Sequence, residues 1–273
     1  MSLHFTKMHG LGNDFLVIDA VRQKVDLRPA DLSALAKRDT GIGFDQCLLI
    51  EPSKSAGIDF YYRIFNADGQ EVGQCGNGAR CLARFAKHYG LTTKDTLIVA
   101  TKTTTMRLKI NLDHSVTVEM EPPKLSPQAI PMRVHDQAVV YSIPQTTYCV
   151  HAINVGNPHA VLQVDDLNTT EVTIIGKMIC EHPLFPEQTN VGFMQILTPS
   201  HIQLRVYERG VGETRACGSG AVAAAAIGQL YHQLNDEVTV SLEGGDLLVR
   251  WPAAKGPIFL QGPATFVYEG QLL

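Results

Sequence analysis

Cys75-Gly76-Asn77-Gly78-Ala79 and Cys217-Gly218-Ser219-Gly220-Ala221 are one five-residue pattern written twice, 142 residues apart. Self-similarity at a fixed spacing marks a duplicated architecture. Two more patterns repeat in the same order: Gly12-Asn13 matches Gly156-Asn157, and Gly43-Phe44-Asp45-Gln46 matches Gly192-Phe193-Met194-Gln195. Their separations, 144 and 149 residues, are each about half of the 273-residue chain. Three matches in one order at nearly constant offset predict two homologous lobes of similar topology.

Each lobe reads as strand-rich. Residues 15–19, 47–51, 60–65, 97–101, 106–110 and 116–120 have the β-branched and aromatic content of strands, as do 139–143, 160–164, 192–197, 202–207, 238–242 and 247–251. The turns at 111–113 and 243–246 are short, which implies antiparallel neighbours. Helical spacing of Ala79, Leu82, Ala83, Ala86 and Tyr89 predicts a helix over 76–89 that stops at Gly90. A second helix, 218–234, carries the run Ala221–Ile227, apolar on every face, so it should be buried. Shorter helices are expected at 29–37 and 172–181, on the outside. The expected fold is α+β: two pseudo-symmetric lobes, each a curved, mostly antiparallel β-sheet wrapped around a central helix. The proline-rich run 122–131 reads as a linker. The last strand-like stretch, 265–273, suits either lobe. Given to the first, it makes lobes of 1–120 with 263–273, and 121–262.

The composition, 45% hydrophobic and 18% charged, is that of an ordinary globular protein. A net charge of −4 gives no general basic footprint for nucleic acid. The N-terminal MSLHFTKMHGLGNDF is interrupted by polar residues before any signal-peptide core can form. The most apolar helix is too short to span a bilayer. A cytoplasmic protein without membrane or nucleic-acid partners is expected.

Six cysteines occur, at 47, 75, 81, 149, 180 and 217, with no CxxC pair, so no zinc knuckle or thioredoxin-like motif is supported. Cys47, Cys81, Cys149 and Cys180 sit in apolar runs, where a cysteine is a small hydrophobe. Cys75 and Cys217 differ: each stands just before a helix and leads a Gly-x-Gly. The first amides of a helix have no internal partner and, with the helix dipole, form an anion site. The same field favours a thiolate, and cysteines at helix N-termini have pKa values lowered to roughly 3.5–7.5. Taken alone, either turn is most simply a tight strand-to-helix connection. As a duplicated pair, facing one carbon, two thiols offer inversion: one removes a proton while the other supplies one. Such a pair titrates as a coupled system.

The chain resembles the diaminopimelate epimerases. The matching segments are Phe5-Thr6-Lys7-Met8-His9-Gly10-Leu11-Gly12-Asn13-Asp14-Phe15, Phe65-Asn66-Ala67-Asp68-Gly69, Gln74-Cys75-Gly76-Asn77-Gly78-Ala79-Arg80-Cys81, Asn154-Val155-Gly156-Asn157-Pro158-His159, Thr189-Asn190-Val191-Gly192-Phe193, and Glu208-Arg209-Gly210-Val211-Gly212-Glu213-Thr214 leading to Ala216-Cys217-Gly218-Ser219-Gly220. They cover essentially the whole chain; only Met1-Ser2-Leu3 look extended. The resemblance implies interconversion of LL- and meso-diaminopimelate in lysine biosynthesis, without pyridoxal phosphate or metal. It further implies closure of two lobes on the substrate, and a homodimer.

On that basis the amides of Gly76, Asn77, Gly218 and Ser219 are candidates to hold the reacting carboxylate. Arg209 is expected to fork the distal carboxylate. Glu208 is the duplicate of Asn66, each nine residues before its cysteine. Both should meet the substrate's polar groups, with Glu208 near an ammonium or a thiol. Asn13 and Asn157 are duplicates and, with Asn190 and Gln46, offer uncharged hydrogen bonds. His159 is expected to set a cysteine's protonation state. Proline or hydroxyproline racemases share the two-cysteine logic, but the Glu208-Arg209 pair favours a substrate with a second charged end. A thiol redox sensor is the rival from another class, and an isomerase using a carboxylate instead is disfavoured by both thiols.

Overall fold

The computed structural model describes residues 3–73 and 75–272; Met1, Ser2, Gln74 and Leu273, which fall within the segments quoted above, lie outside the described residues. The chain divides into two compact units, Met1–Glu119 with Gln261–Leu273, and Met120–Leu260.

The first unit runs β1 (Leu3–Gly10), β2 (Asn13–Asp19), α1 (Pro29–Ala36), β3 (Gln46–Pro52), β4 (Phe60–Asn66), β5 (Glu71–Val72), α2 (Gly76–His88), β6 (Thr96–Ala100), β7 (Thr105–Ile110) and β8 (Val116–Met120). Strand β1 pairs antiparallel with β2, β3 with β4, β4 with β5, β6 with β7 and β7 with β8. The pairs β2–β3 and β4–β6 are parallel. The C-terminal strand, Thr265–Leu272, pairs antiparallel with β1, which assigns that stretch to this unit. On one face of the sheet, Leu16, Ile18, Cys47 and Leu49 form a core with Leu32 and Ala36 of α1. Helix α2 packs against β1, β2, β3 and β7. Strands covered on both faces lose the period-2 alternation. Thus Phe5 to Met8 of β1 and Phe15 to Ile18 of β2 are all buried.

The second unit runs β9 (Tyr141–Ser142), β10 (Cys149–Asn154), β11 (Pro158–Gln163), α3 (Val172–Cys180), β12 (Asn190–Thr198), β13 (His201–Glu208), β14 (Gly212–Thr214), α4 (Gly218–Tyr231), β15 (Glu237–Leu242), β16 (Gly245–Arg250) and β17 (Ile258–Gly262). Its pairings repeat those of the first: β10–β11 antiparallel, β11–β12 parallel, β12–β13 and β13–β14 antiparallel, β13–β15 parallel, β15–β16 antiparallel. Helix α4 touches β10, β11, β12, β13, β15 and β16, so the sheet wraps around it. Its seven residues Ala221–Ile227 are at most 1% exposed, and their small side chains let the strands come close.

Four expectations need correction. Strands β1, β10 and β17 are not among the stretches expected from β-branched and aromatic content. The run 122–131 is not a free linker: Lys124 bridges Asn154, Asn154 Nδ2 donates to the Ala129 carbonyl, and Ile130 joins the second unit's core. Cys149 is exposed beside Ser142 rather than buried. Finally, the match of residues 43–46 with 192–195 is a coincidence of letters. Phe15 pairs with Gln46 and His159 with Asn190, so the duplicate of Gln46 is Asn190, at the same offset of 144 that relates Asn13 to Asn157. Gln195 instead accepts from the Leu167 amide.

Candidate active site

In each unit the strands converge on the N-terminus of the enclosed helix. Asn13 opens β2, Gln46 opens β3 and Asn66 closes β4. Because β2 and β3 are parallel and β4 runs against them, the three share one end of the sheet. Asn157 precedes β11, Asn190 opens β12 and Glu208 closes β13, in the same arrangement.

Cys75 caps α2 and Cys217 caps α4, both with extended backbone. Each sulfur accepts from the third amide of its helix: Gly78 N to Cys75 Sγ at 3.3 Å, Gly220 N to Cys217 Sγ at 3.4 Å. The fourth amide, of Ala79 or Ala221, donates to the cysteine carbonyl. The amides left at each helix start are those of Gly76 and Asn77, and of Gly218 and Ser219. Among the described residues none of the four meets an acceptor, which suits the carboxylate role expected for them.

Around Cys75 the groups are neutral amides. Asn13 Nδ2 donates to Asp45 Oδ2, which turns Asn13 Oδ1 toward Asn77 Nδ2 (3.2 Å) and the Cys75 thiol (4.0 Å). Gln46 Nε2 donates to Asn66 Oδ1 at 2.9 Å, while Gln46 Oε1 is buried without a partner among the described residues. The turn that presents Asn13 is braced by a charge network. Asp14 takes Lys7 Nζ at 2.6 Å and both terminal nitrogens, Nη1 and Nη2, of Arg38, which also reaches Asp45. Burial alone would raise the Asp14 pKa, but the bonds from Arg38 and Lys7 outweigh it and hold it at about 2.

Around Cys217 two ionisable groups, His159 and Glu208, join the neutral ones. The Ser219 hydroxyl lies 3.6 Å from Cys217 Sγ and 3.0 Å from His159 Nε2. That nitrogen also meets Asn157 Oδ1 at 3.2 Å and Asn190 Nδ2 at 3.4 Å. His159 is wholly buried; burial, with the Arg209 cation adding to it, pushes its pKa down to about 3, so the ring is neutral at physiological pH. Glu208 accepts from Thr214 Oγ1 and from the Cys217 thiol, and burial raises its pKa. The expectation that a helix N-terminus lowers both thiol pKa values fails at Cys217. Burial, then the Glu208 charge, push it well above its ordinary value, outweighing the Gly220 amide and the Ser219 hydroxyl. Cys217 is therefore held as a thiol. Arg209 donates its amide to Asn190 Oδ1 and one Nη to the Glu187 carbonyl, with its side chain exposed.

Sequence reading missed Tyr62, whose hydroxyl donates to the Cys75 carbonyl, Thr214, which anchors Glu208, and Arg80, buried behind Asn77. Of the remaining cysteines, Cys47, Cys81 and Cys180 are buried, and burial pushes Cys81 up to about 12.

The fold is shared with solved structures of low sequence identity. A PhzF-family phenazine biosynthesis protein of Bacillus anthracis aligns with a TM-score of 0.70 at 15% identity over 100% of this chain and 99% of its own. A hydroxyproline epimerase of Agrobacterium vitis, solved with trans-4-hydroxy-L-proline, aligns with a TM-score of 0.67 at 16% identity over 99% and 91%. These define the class: a duplicated α+β fold with one enclosed helix per unit. The family model for diaminopimelate epimerase matches residues 5–126 and 151–267. A diaminopimelate epimerase of Legionella pneumophila is 60% identical over the full length of both chains. The chain belongs to the diaminopimelate epimerase family.

Proposed function

We propose that this chain interconverts LL- and meso-2,6-diaminopimelate for lysine biosynthesis through a cofactor-independent exchange of protons at two cysteines. The observation that carries the reading is the pair of cysteine caps, each with the third helix amide on its sulfur and two amides that meet no acceptor among the described residues, at duplicated positions of a chain in this family. One sulfur, as thiolate, takes the α-proton; the other, as thiol, delivers one to the opposite face. In the resting protein Cys217 supplies the thiol, because its burial and Glu208 disfavour the thiolate. The reverse reaction exchanges the roles.

The substrate's reacting carboxylate takes the free amides of Gly76 and Asn77 or of Gly218 and Ser219. Negative charge that develops on the α-carbon and carboxylate is stabilised there. Asn13, Gln46, Asn66, Asn157 and Asn190 hold the polar groups; Arg209 forks the distal carboxylate and Glu208 the ammonium. His159 acts on Cys217 through Ser219. No described helix is long and apolar enough to cross a membrane. A cytoplasmic homodimer completes the proposal, and light scattering at working concentration tests the dimer. The decisive experiment is turnover of LL-diaminopimelate in deuterated water. Deuterium should appear at the inverted carbon, and Cys75→Ala and Cys217→Ala should each abolish inversion; full activity in either variant refutes the two-thiol mechanism.

A further inference from the structure

Arg80 heads the fully buried side chains by size. It lies five residues beyond Cys75 in α2. Its Nε donates to the Pro263 carbonyl at 3.1 Å and Nη2 to Asn77 Oδ1 at 2.9 Å. Nη1 is buried with no partner among the described residues. A guanidinium does not give up its proton, and burying a charge without a counter-ion is heavily penalised. The architecture does not demand it: the offset that carries Cys75 onto Cys217 carries Arg80 onto Val222, a fully buried apolar residue of α4.

We infer that Arg80 is a positioning residue for the Cys75 half of the reaction, orienting Asn77 and Asn13 about the sulfur and supplying the fixed positive charge that favours an anion at the start of α2. The inference rests on the two-cysteine reading above. The orientation follows from donor and acceptor identity. Arg80 offers only donors, so Asn77 turns Oδ1 to it and Nδ2 to Asn13 Oδ1. Asp45, an acceptor only, fixes the other end of Asn13. The two cysteine sites thereby differ in charge: behind Cys75 a buried cation that meets no carboxylate among the described residues, beside Cys217 a partly buried carboxylate. Of the two cysteines whose ionisation acts on Arg80, Cys81 is held neutral by burial, which leaves Cys75 as the group able to become the counter-ion. Substrate carboxylate on the Gly76 and Asn77 amides would draw on the same charge.

The test reads Cys75 without requiring turnover. Iodoacetamide labelling of Cys75, followed by peptide mass spectrometry across pH, gives a midpoint for the parent and for Arg80→Met, Arg80→Gln and Arg80→Lys. The neutral variants should move the midpoint up by about one pH unit or more, the size expected for loss of a neighbouring opposite charge. Arg80→Lys should restore most of that shift yet raise KM as the neutral variants do, because a lysine cannot hold Asn77 and the Pro263 carbonyl at once. Arg80→Gln serves where Arg80→Met does not fold, as judged by circular dichroism. A folded neutral variant with an unchanged midpoint overturns the inference. A parent protein inactive on diaminopimelate would defeat the functional reading and leave the labelling to decide Arg80.

Discussion

Ser219 Oγ stands 3.0 Å from His159 Nε2, and from there reaches the Cys217 sulfur at 3.6 Å. The duplicate positions in the first unit hold Asn77 and Phe15, so this relay is a device of one cysteine only. Ser219→Ala breaks it while leaving the helix cap intact. The expected outcome is a fall in kcat/KM of about tenfold, equal to ~1.4 kcal/mol, the scale of one lost hydrogen bond. His159→Phe, which installs the side chain of the first unit, should fall at least as far. Steady-state kinetics on both variants check this; parent-like kinetics would remove the relay from the mechanism.

The Glu208 carboxylate raises the Cys217 thiol pKa, while the hydrogen bond from that thiol favours the carboxylate. Glu208→Gln keeps the shape and the hydrogen bond to Thr214 but removes the charge. The Cys217 labelling midpoint should therefore fall toward neutrality. A rise, or no change, would mean that burial alone sets the thiol. Turnover should fall as well, because the carboxylate proposed to meet the substrate ammonium is lost.

Asp14 ties the Asn13 turn to pH. Its folded pKa, about 2, lies below the ordinary 3.8, so its ion pairs stabilise the fold above about pH 4. The contribution is lost as pH falls from there toward 2. The shift corresponds to at most about 2.4 kcal/mol, reduced by the solvent that screens this half-buried network. In urea unfolding, Asp14→Asn should be less stable than the parent at pH 7, and the difference should shrink steadily below pH 4. A constant difference would place Asp14's role outside the ion pairs.

What was legible in the sequence was local. In both units Cys-Gly-x-Gly-Ala marks the start of a buried helix capped by the cysteine. The positive-φ Gly90 (65°) ends α2 where the sequence shows a glycine. Strands β1 and β10 were hidden because both faces are buried, and Thr6 and Lys7 inside β1 look like surface residues until Asp14 accounts for the lysine. Letter identity also misled: Gly43 and Gly192 match in print, but one turns with φ 74° before β3 and the other lies inside β12. Arg80 left only a faint mark, an arginine where the duplicated helix has a valine.

The glycines of the two caps separate packing from catalysis. A Cβ on Gly220 would lie 2.9 Å from Val206 Cγ2 and 3.3 Å from the Cys217 sulfur. On Gly78 it would meet Leu48 at 3.1 Å. Both glycines let a helix start against a strand, so Gly220→Ala should destabilise the fold by about 1–3 kcal/mol through overpacking and displace the sulfur as well. Gly76 differs: among the described residues a Cβ there meets nothing within 4 Å, and Gly76 is not among the residues with positive φ. Gly76→Ala should therefore leave the melting temperature unchanged. If its amide holds the substrate carboxylate, the added methyl group stands where the substrate must approach, and KM should rise at least tenfold. A variant with parent-like melting and parent-like KM would move the carboxylate site away from α2 and onto the amides of Gly218 and Ser219.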